Sequence, residues 1–255
     1  MLNSFAPSVW TVEGPVVSFC GFPYPTRMVV IKLTDGSSWI WSPVELTEEL
    51  ALEVEKTVGP VRHIVSPNKI HWLSMKQWQH RFPSAKMYAS PGLSKRKIAS
   101  DLVFSETLTN EAPQDYAADI DQLVFEGGLM DEVWFFHKAS KTAISCDLIQ
   151  RHRVEDQKGW KGWMMRVDGM VGPMGSTPYE WRLVFCMYGL LPKARASLDK
   201  VLTEWKPERL IVAHGENAEE GATLVIEHCL PWIPKDPQNC LCCNPKETST
   251  PPAEE

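Results

Sequence analysis

The chain lacks a long hydrophobic run, since none of its apolar stretches approaches the ~20 residues that a membrane-spanning helix needs. Its first ten residues contain neither a basic segment nor a continuous apolar segment, so we expect no secretory signal. Positive charge is also scarce, because 26 Lys and Arg face 32 Asp and Glu, which leaves a net charge of −6. These absences predict a cytoplasmic protein with no membrane or nucleic-acid partner.

Cysteine is too sparse and scattered for a disulfide framework. There are seven, and four of them lie singly inside apolar runs, where free Cys acts as a small hydrophobe, at Cys20, Cys146, Cys186 and Cys229. The others stand near the C-terminus, at Cys240, Cys242 and Cys243, without the second pair that a zinc site usually shows. No Gly-x-Ser-x-Gly elbow and no phosphate-cradling glycine loop occurs either. A reducing compartment is indicated, and serine-nucleophile chemistry is not.

The apolar runs present are short and alternate with helical periodicity. Strands are predicted at residues 27–33, 38–42, 62–66, 86–89, 123–125, 132–137, 142–148 and 209–213. Helices are predicted at residues 48–56 (with Thr47 as N-cap), 70–81, 190–205 and 218–232. Residues 150–178 carry no clear pattern, and residues 181–189 fit either a helix or a strand. This alternation predicts an α/β layered domain over residues 1–236, followed by a disordered tail rich in Pro, Thr and Glu over residues 237–255.

Polar side chains capable of binding a metal follow several of these strands. They are His71, His137, Asp147 and His214. Imidazole and carboxylate suit Zn or Fe(II), and two His with one carboxylate leave positions open for water or substrate. Each residue taken alone is more simply a structural cap. Their shared position at strand ends favours one common site.

Several segments resemble the metallo-β-lactamase fold superfamily. They are RFPSAKMYASP (81–91), AISCDL (143–148) and LIVAHG (210–215). Three more resemble an uncharacterised family within that superfamily: RMVVIKLTDGSSWIWSPVEL (27–46), VSPNKIHW (65–72) and FFHKASKTAISCDLI (135–149). The resemblance spans most of residues 28–232 and implies an α/β fold of four layers, an αββα sandwich of metallo-β-lactamase type.

The resemblance transfers only part of the family's metal site. The family's first loop reads His-x-His-x-Asp-His, and its positions fall here at Ser66, Asn68, Ile70 and His71. Only the last His is kept. The resemblance implies Asp147 as the metal-bridging carboxylate and His214 as the final-loop His, with His137 near the remaining His position. We therefore expect one metal ion, Zn or Fe(II), or none.

Asn68 is expected either to bind a substrate oxygen or ligand imidazole, as a catalytic residue beside Asp147, or to form an Asx turn after Pro67. The resemblance implies a metal-dependent hydrolase of a small ester, thioester, amide or phosphoester substrate. The alternatives are a non-catalytic binding protein of the same fold that has lost its metal, and a mononuclear iron protein with redox chemistry. The oligomeric state is left open by the sequence.

Overall fold

The computed structural model describes residues 1–19 and 21–237. Within this part of the chain, eleven strands form two sheets. The strands are β1 Asn3–Ala6, β2 Val9–Phe19, β3 Phe22–Lys32, β4 Ser38–Trp41, β5 Val61–Val65, β6 Lys86–Ala89, β7 Glu106–Thr107, β8 Ile120–Phe125, β9 Glu132–His137, β10 Thr142–Ser145 and β11 Arg209–Val212. The helices are α1 Glu48–Thr57, α2 Met75–Arg81, α3 Gly159–Val167, α4 Tyr179–Met187, α5 Leu191–Lys200 and α6 Ala222–Cys229, with a π-helical turn at Val201–Trp205.

The first sheet follows the order of the chain from β1 to β7. Strands β1 to β4 are antiparallel neighbours, and β4 to β7 are parallel. Helix α1 crosses between β4 and β5, and the Thr47 hydroxyl accepts the backbone N–H of Leu50 and so caps its first turn, as the sequence predicts. The parallel half of this sheet therefore has its carboxyl ends on one edge.

The second sheet has the order β11-β10-β9-β8. Strand β9 is antiparallel to both β8 and β10, whereas β10 and β11 are parallel. The carboxyl ends of β10 and β11 consequently lie at the same edge as the beginning of β9. This edge meets the carboxyl edge of the first sheet, where Val133 N–H donates to the Pro67 carbonyl oxygen at 2.8 Å.

Side chains of the two sheets alternate between a central core and two outer cores. The central core contains Val29 and Ile31 from β3 and Phe135 from β9. The first sheet packs its other face, through Val30 and its neighbours, on α1 and α2. The second sheet packs its other face on α4, α5 and α6. The predicted four-layered αββα sandwich is thus confirmed.

Several predicted boundaries are wrong, and each error has a local cause. The strand predicted from residue 27 begins at Phe22, because it continues as an antiparallel hairpin with β2, which the sequence reading missed. The helix predicted from residue 70 begins at Met75, after turns that Asn68 stabilises. The strand predicted over 142–148 ends at Ser145, and the helix predicted over 218–232 is confined to α6.

The two segments without a firm prediction contain helices. Residues 181–189 belong mostly to α4, and residues 150–178 contain α3. The tail predicted over 237–255 lies outside the described residues except for Pro237.

Candidate metal centre and its cleft

Three of the predicted ligands meet where the carboxyl ends of the strands converge. The Nε2 atom of His71 lies 3.4 Å from Oδ1 of Asp147, and Nε2 of His214 lies 3.0 Å from the same oxygen. The imidazole rings of His71 and His214 have centroids 5.2 Å apart. One carboxylate oxygen is therefore faced by two imidazole nitrogens from opposite sheets.

The loop after β5 places His71 through a set of local hydrogen bonds. Asn68 Oδ1 accepts the backbone N–H groups of Ile70 and His71 at 3.0 and 3.1 Å, which is the predicted Asx turn. The buried Ser66 hydroxyl donates to the carbonyl oxygens of Asn68 and His71. These bonds satisfy the backbone of a tight turn and aim the His71 ring at the second sheet.

The loop after β10 places Asp147, and a buried carboxylate on β9 stabilises this loop. Glu132 accepts the backbone N–H groups of Cys146, Asp147 and Leu148 at 2.7–2.8 Å. Its carboxylate also accepts hydrogen bonds from the hydroxyl of Ser145 and the indole N–H of Trp134. These three consecutive backbone N–H groups lie beyond the end of β10, and the buried Glu132 carboxylate is their hydrogen-bond acceptor.

The turn after β11 places His214. Gly215 follows with a φ of +99°, and a Cβ there would collide with the carbonyl oxygen of Arg151. The chain approaches closely here because Arg151 N–H donates to the His214 carbonyl oxygen at 3.0 Å and Glu216 N–H donates to the Arg151 carbonyl oxygen at 2.8 Å. Glycine is required by both the positive φ and the close contact.

The far nitrogens of both imidazoles are held by hydrogen bonds. Nδ1 of His214 lies 2.6 Å from the Pro25 carbonyl oxygen. A carbonyl oxygen only accepts, so Nδ1 carries a proton, and this bond turns Nε2 toward the Asp147 carboxylate. Nδ1 of His71 bonds the Ser42 hydroxyl at 2.8 Å. Metal-binding histidines are commonly oriented by such a bond from the other ring nitrogen.

The donor set fits a single Zn or Fe(II) ion. Two ligands bound at about 2.0–2.1 Å in tetrahedral geometry lie roughly 3.3 Å apart, and the two N···O separations of 3.4 and 3.0 Å agree with this. His71, Asp147 and His214 together form the two-His, one-carboxylate set that leaves positions open.

Cys146 is a fourth potential ligand that sequence reasoning missed, because it was assigned as a buried hydrophobe. Ligand atoms of His71, Cys146 and Asp147 all lie within 4.8 Å of one another, and this compact group does not include His214, which approaches the site through Asp147 Oδ1. Burial, together with the charges of Asp147 and Glu132, raises the pKa of the Cys146 thiol well above its ordinary value. The thiol therefore stays protonated unless a metal ion displaces its proton.

The charge of Asp147 is stabilised by its neighbours. Burial disfavours the carboxylate, but the charges and hydrogen bonds of His71 and His214 outweigh burial and hold the pKa of Asp147 well below its ordinary value. Asn68 Nδ2 donates to Oδ2 of Asp147 at 2.6 Å. Asn68 is fully buried and does not line the cleft, so it orients the carboxylate and does not meet the prediction of a substrate-binding group.

His152 is a second residue that the sequence reading did not select. Its ring stacks parallel to that of His214 at a centroid distance of 6.3 Å, and its Nε2 donates to the Gln150 side-chain oxygen at 2.8 Å. Burial, helped by the nearby His214, lowers the pKa of His152 to about 3, so this imidazole is neutral at physiological pH. The segment around it had no periodicity that would have drawn attention to it.

The structure separates His137 from the other predicted ligands, contrary to the expectation from the sequence. His137 pairs with Thr142 at the beginning of β10, whereas Asp147 follows the end of β10. The antiparallel course of β9 thus puts His137 at the opposite edge of the sheet. There it is buried and bonds the Ser140 hydroxyl through Nδ1 at 2.7 Å. His137 is a structural residue and not a member of the metal cluster.

A cleft of about 410 Å³ opens onto the three ligands. Its walls come from the β2–β3 hairpin, the loop after β4, the His71 loop and the beginning of α4. They are mainly apolar and are formed by Pro15, Val17, Tyr24, Pro43, Val44, Ile70, Leu73, Met130 and Trp181. The charged side chains that line this cleft, besides the cluster itself, are Glu45 and Glu180, and no Lys or Arg among the described residues lines it.

The fold is of the metallo-β-lactamase type. A metallo-β-lactamase from Pontibacter korlensis matches with 14% identity and a TM-score of 0.61, over 94% of this chain and 99% of that one. The DIM-1 metallo-β-lactamase matches with 14% identity and a TM-score of 0.61, over 91% and 96% of the two chains. A metallo-β-lactamase from Hirschia baltica matches with 12% identity and a TM-score of 0.59, over 91% and 97%. Such identities establish similarity of fold alone.

Within this class, the chain belongs to the family described as Domain of unknown function (DUF4336), whose model matches residues 7–158. The matched segment contains the His71 loop and Asp147 and ends before His214. No curated protein matches the chain.

Proposed function

We propose that the protein is a metal-dependent hydrolase that binds one Zn or Fe(II) ion through His71, Asp147 and His214 and acts on a small substrate in the adjoining cleft. The observation that carries this proposal is the convergence of two oriented imidazoles on one buried carboxylate oxygen at the floor of the cleft. Imidazole nitrogen and carboxylate oxygen are donors that Zn and Fe(II) bind, and both rings are already oriented by hydrogen bonds at their other nitrogen.

A Zn or Fe(II) ion there would supply Lewis acidity and would lower the pKa of a water to ~7, providing a nucleophile at neutral pH. The chain's own groups prepare the site. Pro25 and Ser42 hold the two rings in one orientation, and Asn68 holds the carboxylate. The mainly apolar walls lower the local polarity around the floor of the cleft, which strengthens electrostatic interactions there.

The cleft favours an uncharged substrate. Phosphoester sites use Arg, Lys or several metal ions to offset the phosphate charge, and the described cleft lining contains Glu45 and Glu180 instead. An ester, thioester or amide with an apolar acyl group is therefore a better fit than a phosphoester. A turnover panel of matched aryl esters and aryl phosphoesters tests this preference, and faster cleavage of the phosphoester would reject it.

One ion is proposed, and not two, because the first loop has lost its donors. The Ser66 hydroxyl bonds the backbone of its own turn, and the Asn68 side chain bonds the same turn and Asp147. Ile70 has no polar side-chain atom. Purified protein should accordingly hold no more than one equivalent of transition metal per chain. Two tightly held equivalents would mean that other side chains complete a second site.

The deciding experiment is elemental analysis of the protein purified without added metal and again after soaking in Zn, Mn and Fe(II). The double variant His71→Ala with His214→Ala should lose the bound ion. A matched control, His80→Ala with His228→Ala, removes two exposed imidazoles and should retain it. Unchanged metal content in the first variant would exclude these ligands.

A non-catalytic binding protein is the second candidate, and Ile70 favours it. This residue lines the cleft at the position where the resemblance implies an aspartate, and isoleucine neither binds metal nor transfers a proton. If wild-type protein takes up no metal after soaking and cleaves neither ester nor phosphoester substrates, this candidate replaces the hydrolase. A bound zinc ion would exclude the iron-redox alternative, whereas with bound iron the cleavage of the ester substrates decides between hydrolysis and redox chemistry.

A further inference from the structure

Helix α3 exposes an apolar face to solvent. Trp160, Trp163, Met164 and Val167 follow the i, i+3, i+4, i+7 spacing that puts side chains on one side of a helix. Their exposed fractions are 65%, 63%, 45% and 68%. The spacing is typical of a face that packs on a core, yet this face points away from the core. An apolar stripe of this kind marks an interaction surface.

The opposite side of α3 already anchors the helix to the domain. Gly162 and Met165 are buried, and a Cβ at Gly162 would collide with the backbone of Gln157. Trp160 also contacts Phe22 of the β2–β3 hairpin, edge to face with centroids 6.2 Å apart. Of the stripe, Trp160 therefore also helps to hold the helix in place, whereas no contact of this kind is seen for Trp163, Met164 and Val167 among the described residues, and they stay exposed.

Basic side chains flank the stripe. Residues 158–167 contain Lys158, Lys161 and Arg166 and no acidic residue. Lys161 Nζ donates to the Gly21 carbonyl oxygen, and Arg166 donates to the carbonyl oxygens of Val154 and Gln157. These acceptors are uncharged, so the positive charges are not neutralised.

Acidic residues lie only beyond the ends of this segment. Glu155 and Asp156 precede it, and Asp168, which follows it, pairs with Arg182 at 3.5 Å.

We propose that α3 is a membrane-surface anchor: Trp160, Trp163, Met164 and Val167 insert into the interface of an anionic bilayer, and the flanking cations contact its headgroups. Interfacial helices combine Trp on the apolar face with Lys and Arg beside it, as here. Trp is suited to this position because its ring is apolar and its N–H is polar.

The lipid surface is favoured over a folded protein partner by the shape and charge of this face. The stripe lies on the exposed side of one helix and is bordered by cations, which complement a plane of anionic headgroups. The net charge of the whole chain is −6, and Glu155 and Asp156 lie close to the segment in the chain, so attraction to anionic headgroups is expected from Lys158, Lys161 and Arg166 beside the stripe and only at short range. Within residues 1–19 and 21–237 no helix is long and apolar enough to cross a bilayer. A helix that lies in the interface has no such length requirement.

The test is co-flotation of the full-length protein with phosphatidylcholine vesicles, with and without about a third of phosphatidylglycerol. Wild-type protein should float with the anionic vesicles, and raising the salt concentration should weaken binding. The variant Trp163→Ser with Val167→Ser leaves the Trp160–Phe22 contact intact and should lower the bound fraction at least ~10-fold. Lys158→Glu should weaken binding to anionic vesicles only.

The matched control is Leu52→Ser with Leu224→Ser, which removes two side chains that are 55% and 68% exposed on other helices. This control should bind like wild type, and equal thermal melting of all variants excludes unfolding as a cause. The proposal is overturned if wild-type protein fails to float with either vesicle, or if the α3 variant floats as well as the control. A dimer in solution that only the α3 variant abolishes, without vesicle binding, would instead assign the stripe to self-association.

Discussion

Glu132 shows how one residue can support a site without touching its substrate. It is a charged residue at the start of an otherwise apolar strand, and that misfit is the signal by which the sequence could have revealed it. Burial and the negative charge of Asp147 raise the pKa of Glu132 to about 7, although the hydrogen bonds from backbone N–H groups lower it. Its carboxylate is faced by donors from the very loop that carries Asp147.

Replacement of Glu132 by Gln should therefore loosen this loop. The amide NH₂ of Gln would face backbone N–H groups, which leaves buried donors unpaired and should lower the free energy of unfolding by about 2–4 kcal/mol. Metal affinity should fall roughly 10–100-fold, because Asp147 loses its support. Urea denaturation and metal titration measure the two effects. Glu126→Gln, which breaks an exposed ion pair with Lys193, should cost less than about 1 kcal/mol, and an equal loss in both variants would contradict this role.

His63 carries a predicted pH dependence. It is buried and bonds the Tyr88 hydroxyl through Nδ1 at 3.1 Å. Burial lowers the pKa of His63 below the ordinary 6.5, although the negative charges of Asp115 and Asp35 raise it. Below pH ~6.5 the unfolded chain therefore binds more protons than the folded chain, so stability should fall as the pH falls, by at most about 1.4 kcal/mol per pH unit for this residue.

The His63→Gln variant should lack this contribution. The stability difference between wild type and variant should shrink from pH ~7 towards pH ~5, as measured by urea denaturation at each pH. His80→Gln, which replaces an exposed histidine, controls for the loss of an imidazole. Parallel profiles for wild type and His63→Gln would show that His63 does not carry this dependence.

At the scale of the secondary-structure elements, the direction of a strand decides which of its ends belongs to the site. Strands β5, β10 and β11 end at the cleft and present His71, Asp147 and His214 there. Strand β9 begins at the cleft, so Glu132 at its first position lies near the site. His137, at its last position, lies at the opposite edge of the sheet. A polar residue at a strand end is thus a useful signal only when the strand direction within the sheet is known.

The turn after β11 offers a matched pair of glycine substitutions. Gly215→Ala should lower the free energy of unfolding by about 2 kcal/mol or more, since it combines a φ of +99° with a collision against Arg151. Gly221→Ala, at a φ of +66° with nothing within 4 Å of its Cβ, should cost only about 1 kcal/mol. Thermal or chemical denaturation distinguishes them. Equal costs would show that the close contact with Arg151 relaxes freely.

At the scale of the whole molecule, the site exists because two sheets meet. The first sheet supplies His71, Ser42 and the Pro25 carbonyl, and the second supplies Asp147 and His214. The central core, with Trp39 and Phe135 edge to face at 5.0 Å, fixes the separation of the sheets. The cleft follows from this separation and from the β2–β3 hairpin, which extends along one side of it.

The C-terminal tail remains a prediction. Residues 238–255 lie outside the described residues, and beyond Leu241 they offer few apolar side chains to offset the entropy of ordering. Truncation after Pro237 should shift the melting temperature by only a few degrees. A large drop would mean that Cys240, Cys242 and Cys243 contribute to a structural site, and zinc analysis of the full chain would then identify it.

The sequence by itself determined the layered α/β class and the Thr47 cap of α1, and it selected His71, Asp147 and His214, which the structure brings together. These features rest on local signals: apolar runs, a capping residue, and polar groups directly after strands. The Asx turn at Asn68 was also predicted from the sequence, because an Asn after Pro has few other local partners for its side chain.

Only the tertiary structure decided which polar residues meet. The rejection of His137, the positions of Glu132 and Cys146 behind Asp147, and the orientation of His214 by the Pro25 carbonyl all depend on contacts between residues far apart in the chain. The exposed face of α3 is the clearest case. The sequence left this segment unassigned, and only the packing of the opposite side shows that the apolar stripe faces solvent, because an apolar spacing defines a face and not what covers it.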